Sequence, residues 1–217
     1  GFIPEMLYPG GPMAANYLNL AKETQKITRL LARTNCVKIK THVGTDLSFT
    51  IKGRKAWAET GILSQGGNQP CNLPAGEAAI SPIESTSEGT IVVEPGWYPN
   101  LDETMIVEVK RGLITKIIKG GDEGEKIRSL LSPGKNDEPY GSRRNIAEFG
   151  IGTNPNAKKP NIILEAEKIK GTVHIGVGNN FFMGGKVKAD LHTDFVIPTP
   201  DLIFDDKIIM QNGKLLI

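Results

Sequence analysis

The sequence predicts an α+β fold built on a curved, mostly antiparallel mixed sheet with a few flanking helices. Three observations predict it. Short runs with period-two alternation recur along the chain. The helical patterns do not alternate regularly with those runs. Glycine is abundant, 25 of 217 residues, and spread without a fixed period, which suits tight turns between short strands and not a repeat architecture.

Taken in order, Leu18, Ala21, Ile27, Leu30 and Leu31 fall near helical spacing and predict a helix over 13–34, with Pro12 suited to its first turn. Val37–Lys40 and Leu47–Ile51 alternate as strands around a turn at Gly44 and Asp46. Residues 59–88, rich in Gly, Pro, Asn and Ser, read as a loop, and a structureless loop of that length is usually functional or mis-assigned. Strands follow at 89–94, 105–110 and 113–118, then a helix at 123–131 ended by Pro133-Gly134. The remainder reads as strand 145–151, helix 162–169, strands 172–178 and 189–197, and a closing hairpin turning at Asn212-Gly213.

Composition excludes several classes. Hydrophobic residues make up 39% and charged residues 23%, as in ordinary globular proteins. A formal net charge of +2 gives no electrostatic reason to expect nucleic acid or a membrane surface as partner. No apolar run is long enough to span a bilayer, and the start has no signal-peptide pattern. Cys36 and Cys71 make no disulfide framework, so reduced thiols in a cytoplasmic protein are expected. The chain begins at Gly1 without an initiator Met, as a processed chain or a fragment of a longer one does.

The chemistry concentrates in the C-terminal half. In Leu191-His192-Thr193-Asp194-Phe195, side-chain alternation puts His192 and Asp194 on one face. In Thr172–Gly178, Val173, Ile175 and Val177 form an apolar face, while His174 shares the other with Gly176 and Gly178. In Ile146–Gly152 the design repeats: Phe149 and Ile151 point one way, and Glu148, Gly150 and Gly152 the other. Three strands thus each offer a metal-competent residue on a face cleared of bulk. Two imidazoles with carboxylates suit Zn, Co, Mn or Fe(II). His42 is read as a structural histidine. No H-E-x-x-H, P-loop or dinucleotide fingerprint is present.

Asn72-Leu73-Pro74-Ala75-Gly76-Glu77 resembles the N-L-P-x-G-E segment of thermophilic-type metalloaminopeptidases, the aminopeptidase T and S group. Glu148-Phe149-Gly150-Ile151-Gly152-Thr153-Asn154-Pro155, Glu167, Gly171–Gly176 and His192-Thr193-Asp194 follow in that family's order. The resemblance covers roughly residues 40–217, with 1–35 a helical lead-in left from a shortened N-terminal domain and 36–217 the catalytic domain. It implies a dinuclear centre of Zn, Co or Mn held by Glu77, Glu148, Glu167, His174, His192 and Asp194, although Glu167 is offset by two residues from the family's carboxylate. It implies an aminopeptidase-like hydrolase, expected as a homodimer, that cleaves N-terminal residues from peptides, with Glu148 moving the proton of a metal-shared water. One departure stands against that activity: Phe181 occupies the position of the family's catalytic tyrosine. The same fold group includes ring-cleaving dihydroxypyridine dioxygenases, whose mononuclear Fe(II) site of two histidines and one carboxylate His174, His192 and Asp194 could form. A non-catalytic metal-binding homologue is the third reading.

Overall fold

The computed structural model describes residues 2–63 and 71–217. The strands are β1 (Cys36–Lys40), β2 (Asp46–Thr50), β3 (Ala56–Glu59), β4 (Glu77–Ile80), β5 (Glu88–Val93), β6 (Met105–Lys110), β7 (Leu113–Lys119), β8 (Ile146–Gly152), β9 (Val173–Gly178), β10 (His192–Ile197), β11 (Asp201–Phe204), β12 (Lys207–Gln211) and β13 (Lys214–Leu215). The helices are α1 (Tyr17–Leu31), α2 (Gly121–Leu131), α3 (Tyr140–Arg143) and α4 (Ile163–Ala166). The mostly antiparallel α+β expectation holds, with the strands divided between two sheets. One has the order β13-β12-β11-β1-β2-β5-β6-β7 and the other β10-β9-β8-β4-β3.

One apolar core joins the sheets. Phe149 of β8 packs edge-on against Phe49 of β2 and Phe204 of β11, with ring centroids 5.3 and 6.5 Å apart. Val173, Ile175 and Val177, predicted to face the core, are each fully buried in it. The other face of the smaller sheet is therefore free to carry polar groups.

Helix α1 starts later than the 13–34 expectation because the Asn16 side chain caps it, accepting from Asn19 N–H at 3.1 Å. Pro12 sits ahead of it in a separate 3-10 turn. The expected loop over 59–88 is corrected: it contains β4, buried at all four positions and paired with both β3 and β8. Residues 64–70 of that span lie outside the described residues. Asn154, just after β8, donates to the carbonyls of Pro12 (3.0 Å) and Ala75 (2.8 Å), which ties the approach to β4 against the N-terminal segment. The helix expected over 162–169 is a single turn, so Glu167 and Lys168 lie beyond it. Asn212 and Gly213 both have positive φ, as a two-residue I′ hairpin turn requires. His42 is exposed in the turn after β1. Among the described residues, no helix is long and apolar enough to cross a membrane. Both cysteines are free.

Candidate metal centre

The polar face of the smaller sheet is laid out by its register. Glu148 lies opposite Gly176, and Gly176 lies opposite Asp194 on the next strand. His174 lies opposite Gly150, His192 opposite Gly178, and Glu77 opposite Gly152. Each of these five side chains thus has a glycine beside it. At Gly150 the vacancy is obligatory, because a Cβ there would come within 2.1 Å of His174 Cε1 and Nε2. A Cβ at Gly176 would fall 2.7 Å from Glu148 Cβ and 3.0 Å from both Asp194 Oδ1 and His192 Cε1. The glycine-cleared face read from the sequence is the device that lets the polar side chains converge.

The six expected ligands gather into three overlapping groups, each with its ligand atoms within 4.8 Å of one another: Glu77, Glu148 and His174; Glu148, His192 and Asp194; Glu167, His174 and Asp194. The two histidines fall in different groups, linked through Glu148 and Asp194. Glu148 Oε2 is 3.0 Å from His192 Nε2, and its Oε1 is 3.8 Å from His174 Nε2. Asp194 Oδ1 lies 3.6 Å from His192 Nε2, and Glu77 Oε2 lies 3.4 Å from His174 Nε2. Asp194 Oδ1 is buried and has no hydrogen-bond partner, the condition expected of a donor atom awaiting a cation. His192 Nδ1 lies 2.9 Å from the Asn179 carbonyl. A carbonyl only accepts, so Nδ1 carries a proton and Nε2 is the atom offered to a metal.

A residue the sequence reading passed over completes the cluster. Lys168 is fully buried, and its Nζ lies 2.7 Å from Glu59 Oε2, 2.8 Å from Glu77 Oε1 and 2.9 Å from Glu167 Oε1. Lys168 carries no motif of its own in a predicted helix, and Glu59 falls at the start of the span read as a loop. The only available signal was the run of carboxylates expected to converge with no cation among them.

The charges hold one another. Burial works against the Lys168 ammonium, but the carboxylates of Glu77, Glu167 and Glu59 outweigh it and keep it protonated. Burial also works against charged His192, yet Asp194 and Glu148 push its pKa up to about 11. His174, opposed by burial but faced by Glu148, Glu77 and Asp194, is raised to about 9. Burial alone would raise Glu148, and the two imidazoles instead hold it well below the usual carboxylate range. Burial, reinforced by the Asp194 charge, lifts Glu167 to about 6 despite Lys168.

Access is from the His192 side. His192 is the most open of the six, with 25% of its side chain exposed against 1% for His174. The Phe182 ring stands edge-on to His192, centroids 5.3 Å apart, and both Phe182 and Phe181 are exposed. Phe181 has Lys188 Nζ over its ring at 4.2 Å. Met183, next to them, is buried. The segment carrying these residues, between β9 and β10, is clamped by Glu84, which accepts from Lys186 N–H (2.7 Å) and Asn180 Nδ2 (2.9 Å) and pairs with Arg54.

The model of the NicX family, 2,5-dihydroxypyridine 5,6-dioxygenase, matches residues 13–217. Among solved structures, 2,5-dihydroxypyridine dioxygenase from Pseudomonas putida KT2440 superposes with a TM-score of 0.77 at 23% identity, covering 94% of this chain and 61% of that one. AmpT from Thermus thermophilus gives 0.70 at 18% identity, covering 94% of this chain and 57% of that one. Both likenesses are of fold, and this chain spans about three-fifths of each protein's length. No curated protein matches it in sequence. These findings correct the expected identity, class and activity. Neither membership of the aminopeptidase T and S group nor the hydrolase, aminopeptidase or protease reading survives, because the family matched over nearly the whole chain is an oxygen-using one. By its sequence, the chain belongs to the NicX family of 2,5-dihydroxypyridine 5,6-dioxygenases.

Proposed function

We propose that this chain carries the iron centre of a ring-cleaving dioxygenase acting on a dihydroxylated pyridine or a closely similar aromatic ring, with residues 1–35 as a lead-in and 36–217 as the catalytic unit. His174, His192 and Asp194 are the proposed ligands, a two-histidine, one-carboxylate set of the kind that suits non-haem Fe(II). The observation that carries the reading is that Asp194 shares a ligand-competent group with each histidine in turn, on a face that glycines keep open. Iron(II) bound there supplies the one-electron chemistry through which dioxygen can react with a closed-shell ring.

The protein's own groups do the rest. The Asn179 carbonyl orients His192. His174 and His192 would each bind an ion as the neutral imidazole, so loading is expected to weaken as pH falls. Glu148, ionised and touching both histidines, is placed to accept the proton of a ring hydroxyl that approaches the metal. Phe182 and Phe181 offer a flat ring an apolar entrance beside His192. Glu77 and Glu167 are proposed as outer carboxylates.

The test is oxygen uptake. Protein loaded anaerobically with Fe(II) and given 2,5-dihydroxypyridine is expected to consume oxygen, and His192→Ala and Asp194→Ala are expected to fold but neither hold iron nor consume oxygen. Iron-loaded protein that leaves oxygen untouched with dihydroxylated rings would overturn the reading.

A further inference from the structure

The structure assigns Lys168 a role beyond packing: its ammonium is a built-in cation that takes up the Glu59–Glu77–Glu167 side of the cluster and confines metal binding to one ion. The inference rests on the proposed metal centre and concerns how many ions that centre holds.

Two of the three ligand groups, Glu77–Glu148–His174 and Glu148–His192–Asp194, share Glu148. Adjacent sites joined by a shared carboxylate are the arrangement that holds two ions about 3.5–4 Å apart. Residue types alone therefore permit a dinuclear centre. The distances permit it less well. Lys168 Nζ sits within 2.9 Å of one oxygen from each of Glu59, Glu77 and Glu167. Glu77 is divided, with Oε1 on the ammonium and Oε2 turned to His174. Two of the three groups, the one with Glu77 and the one with Glu167, thus already have a carboxylate oxygen paired with the lysine. Only Glu148–His192–Asp194 has no member bonded to Lys168. The lysine reaches this position because α4 ends at Ala166. There it is wholly shielded from water, among groups that a divalent ion would otherwise have to neutralise. A second ion near Glu77 would face a fixed positive charge 2.8 Å from that carboxylate's other oxygen.

Replacing the ammonium by a neutral side chain leaves three carboxylates, buried Glu77 and Glu167 and part-buried Glu59, short of one positive charge, a vacancy a divalent ion fits. The experiment loads the full chain anaerobically with excess Mn(II), removes unbound ion, and counts metal per chain alongside the electron paramagnetic resonance spectrum. Wild type is expected to hold one ion with the six-line signal of isolated Mn(II). Lys168→Met is expected to hold two, with the signal of an exchange-coupled pair. Lys168→Met combined with Glu77→Gln should return to one, and Lys168→Arg, which keeps the charge, should stay at one. A wild-type chain that takes two coupled ions overturns this inference and leaves the metal centre standing. A wild-type chain that takes none overturns both. A folded Lys168→Met that still takes one overturns the inference alone. Should Lys168→Met not fold, Lys168→Gln is counted in its place, and a folded Lys168→Gln that still takes one ion overturns the inference.

Discussion

The two sheets of this protein are built to different specifications. Strand β6 of the larger sheet alternates buried and part-buried positions, the pattern of a sheet with one face on the core and one towards water. Strands β4, β8 and β9 of the smaller sheet are buried at every position. An antiparallel sheet buried on both faces normally reads as continuous apolar sequence, yet here the second face carries Glu77, Glu148 and His174. The comparison teaches where to look for chemistry: a buried face that is polar must have its charges matched internally. Lys168, the histidines and the carboxylates perform that matching at the cost of packing a hydrophobic layer.

Four substitutions break or sharpen the contrast. The largest effect is expected from Ile175→Asp, which puts an unpaired charge into the core between the sheets. Loss of more than about 4 kcal/mol, enough to unfold many domains, is expected in chemical denaturation. The adjacent His174→Ala, on the other face, is expected to keep the fold and lose metal affinity. Equal stability for the two variants would mean that the faces are assigned the wrong way round.

Gly150→Ala comes next. The added methyl has no room beside the His174 ring and must displace it. Overpacking of this kind costs about 1–3 kcal/mol, and misorienting a ligand costs about 10–100-fold in metal affinity. Metal titration of a chain that melts as a single cooperative unit checks it. An unchanged affinity would show that His174 is not a ligand.

The smallest effect concerns the clamp on the segment between β9 and β10. Burial pushes the Glu84 carboxyl up, but the Lys186 N–H, the Asn180 amide and Arg54 outweigh it and lower its pKa. A group lowered in the folded state stabilises the protein above its unfolded pKa, about 4.3, and that contribution is lost as pH falls through the folded value. Glu84→Gln is expected to cost about 1 kcal/mol at neutral pH, with the gap to wild type closing as the solution is taken below about pH 4. A gap that stays constant with pH would assign the loss to geometry and not to charge.

How much of this was legible follows from what each feature depends on. The His192–Asp194 pair and the glycines at 150 and 176 could be read from alternation within single strands, because a strand's period determines its faces. Strand β4 was hidden: Glu-Ala-Ala-Ile is short, weak in β propensity, and flanked by Pro, Gly and Ser. Its place between β3 and β8 comes from long-range pairing that local pattern does not encode. The division into two sheets was invisible for the same reason. Lys168 was the costliest omission, since only the three-dimensional approach of Glu59 and Glu77, far away in sequence, distinguishes it from a surface lysine. Without it, the surplus of carboxylates favoured the two-ion reading.

A cation supplied by a side chain has one property no metal shares: it cannot leave. Chelators and metal scarcity act on ions that exchange with solvent, whereas Lys168 arrives with the chain and stays with it. The Glu59–Glu77–Glu167 side of the cluster thereby holds its own cation before any metal ion binds. The folded scaffold can wait, with Glu59, Glu77 and Glu167 already in position, for the one component the cell must provide.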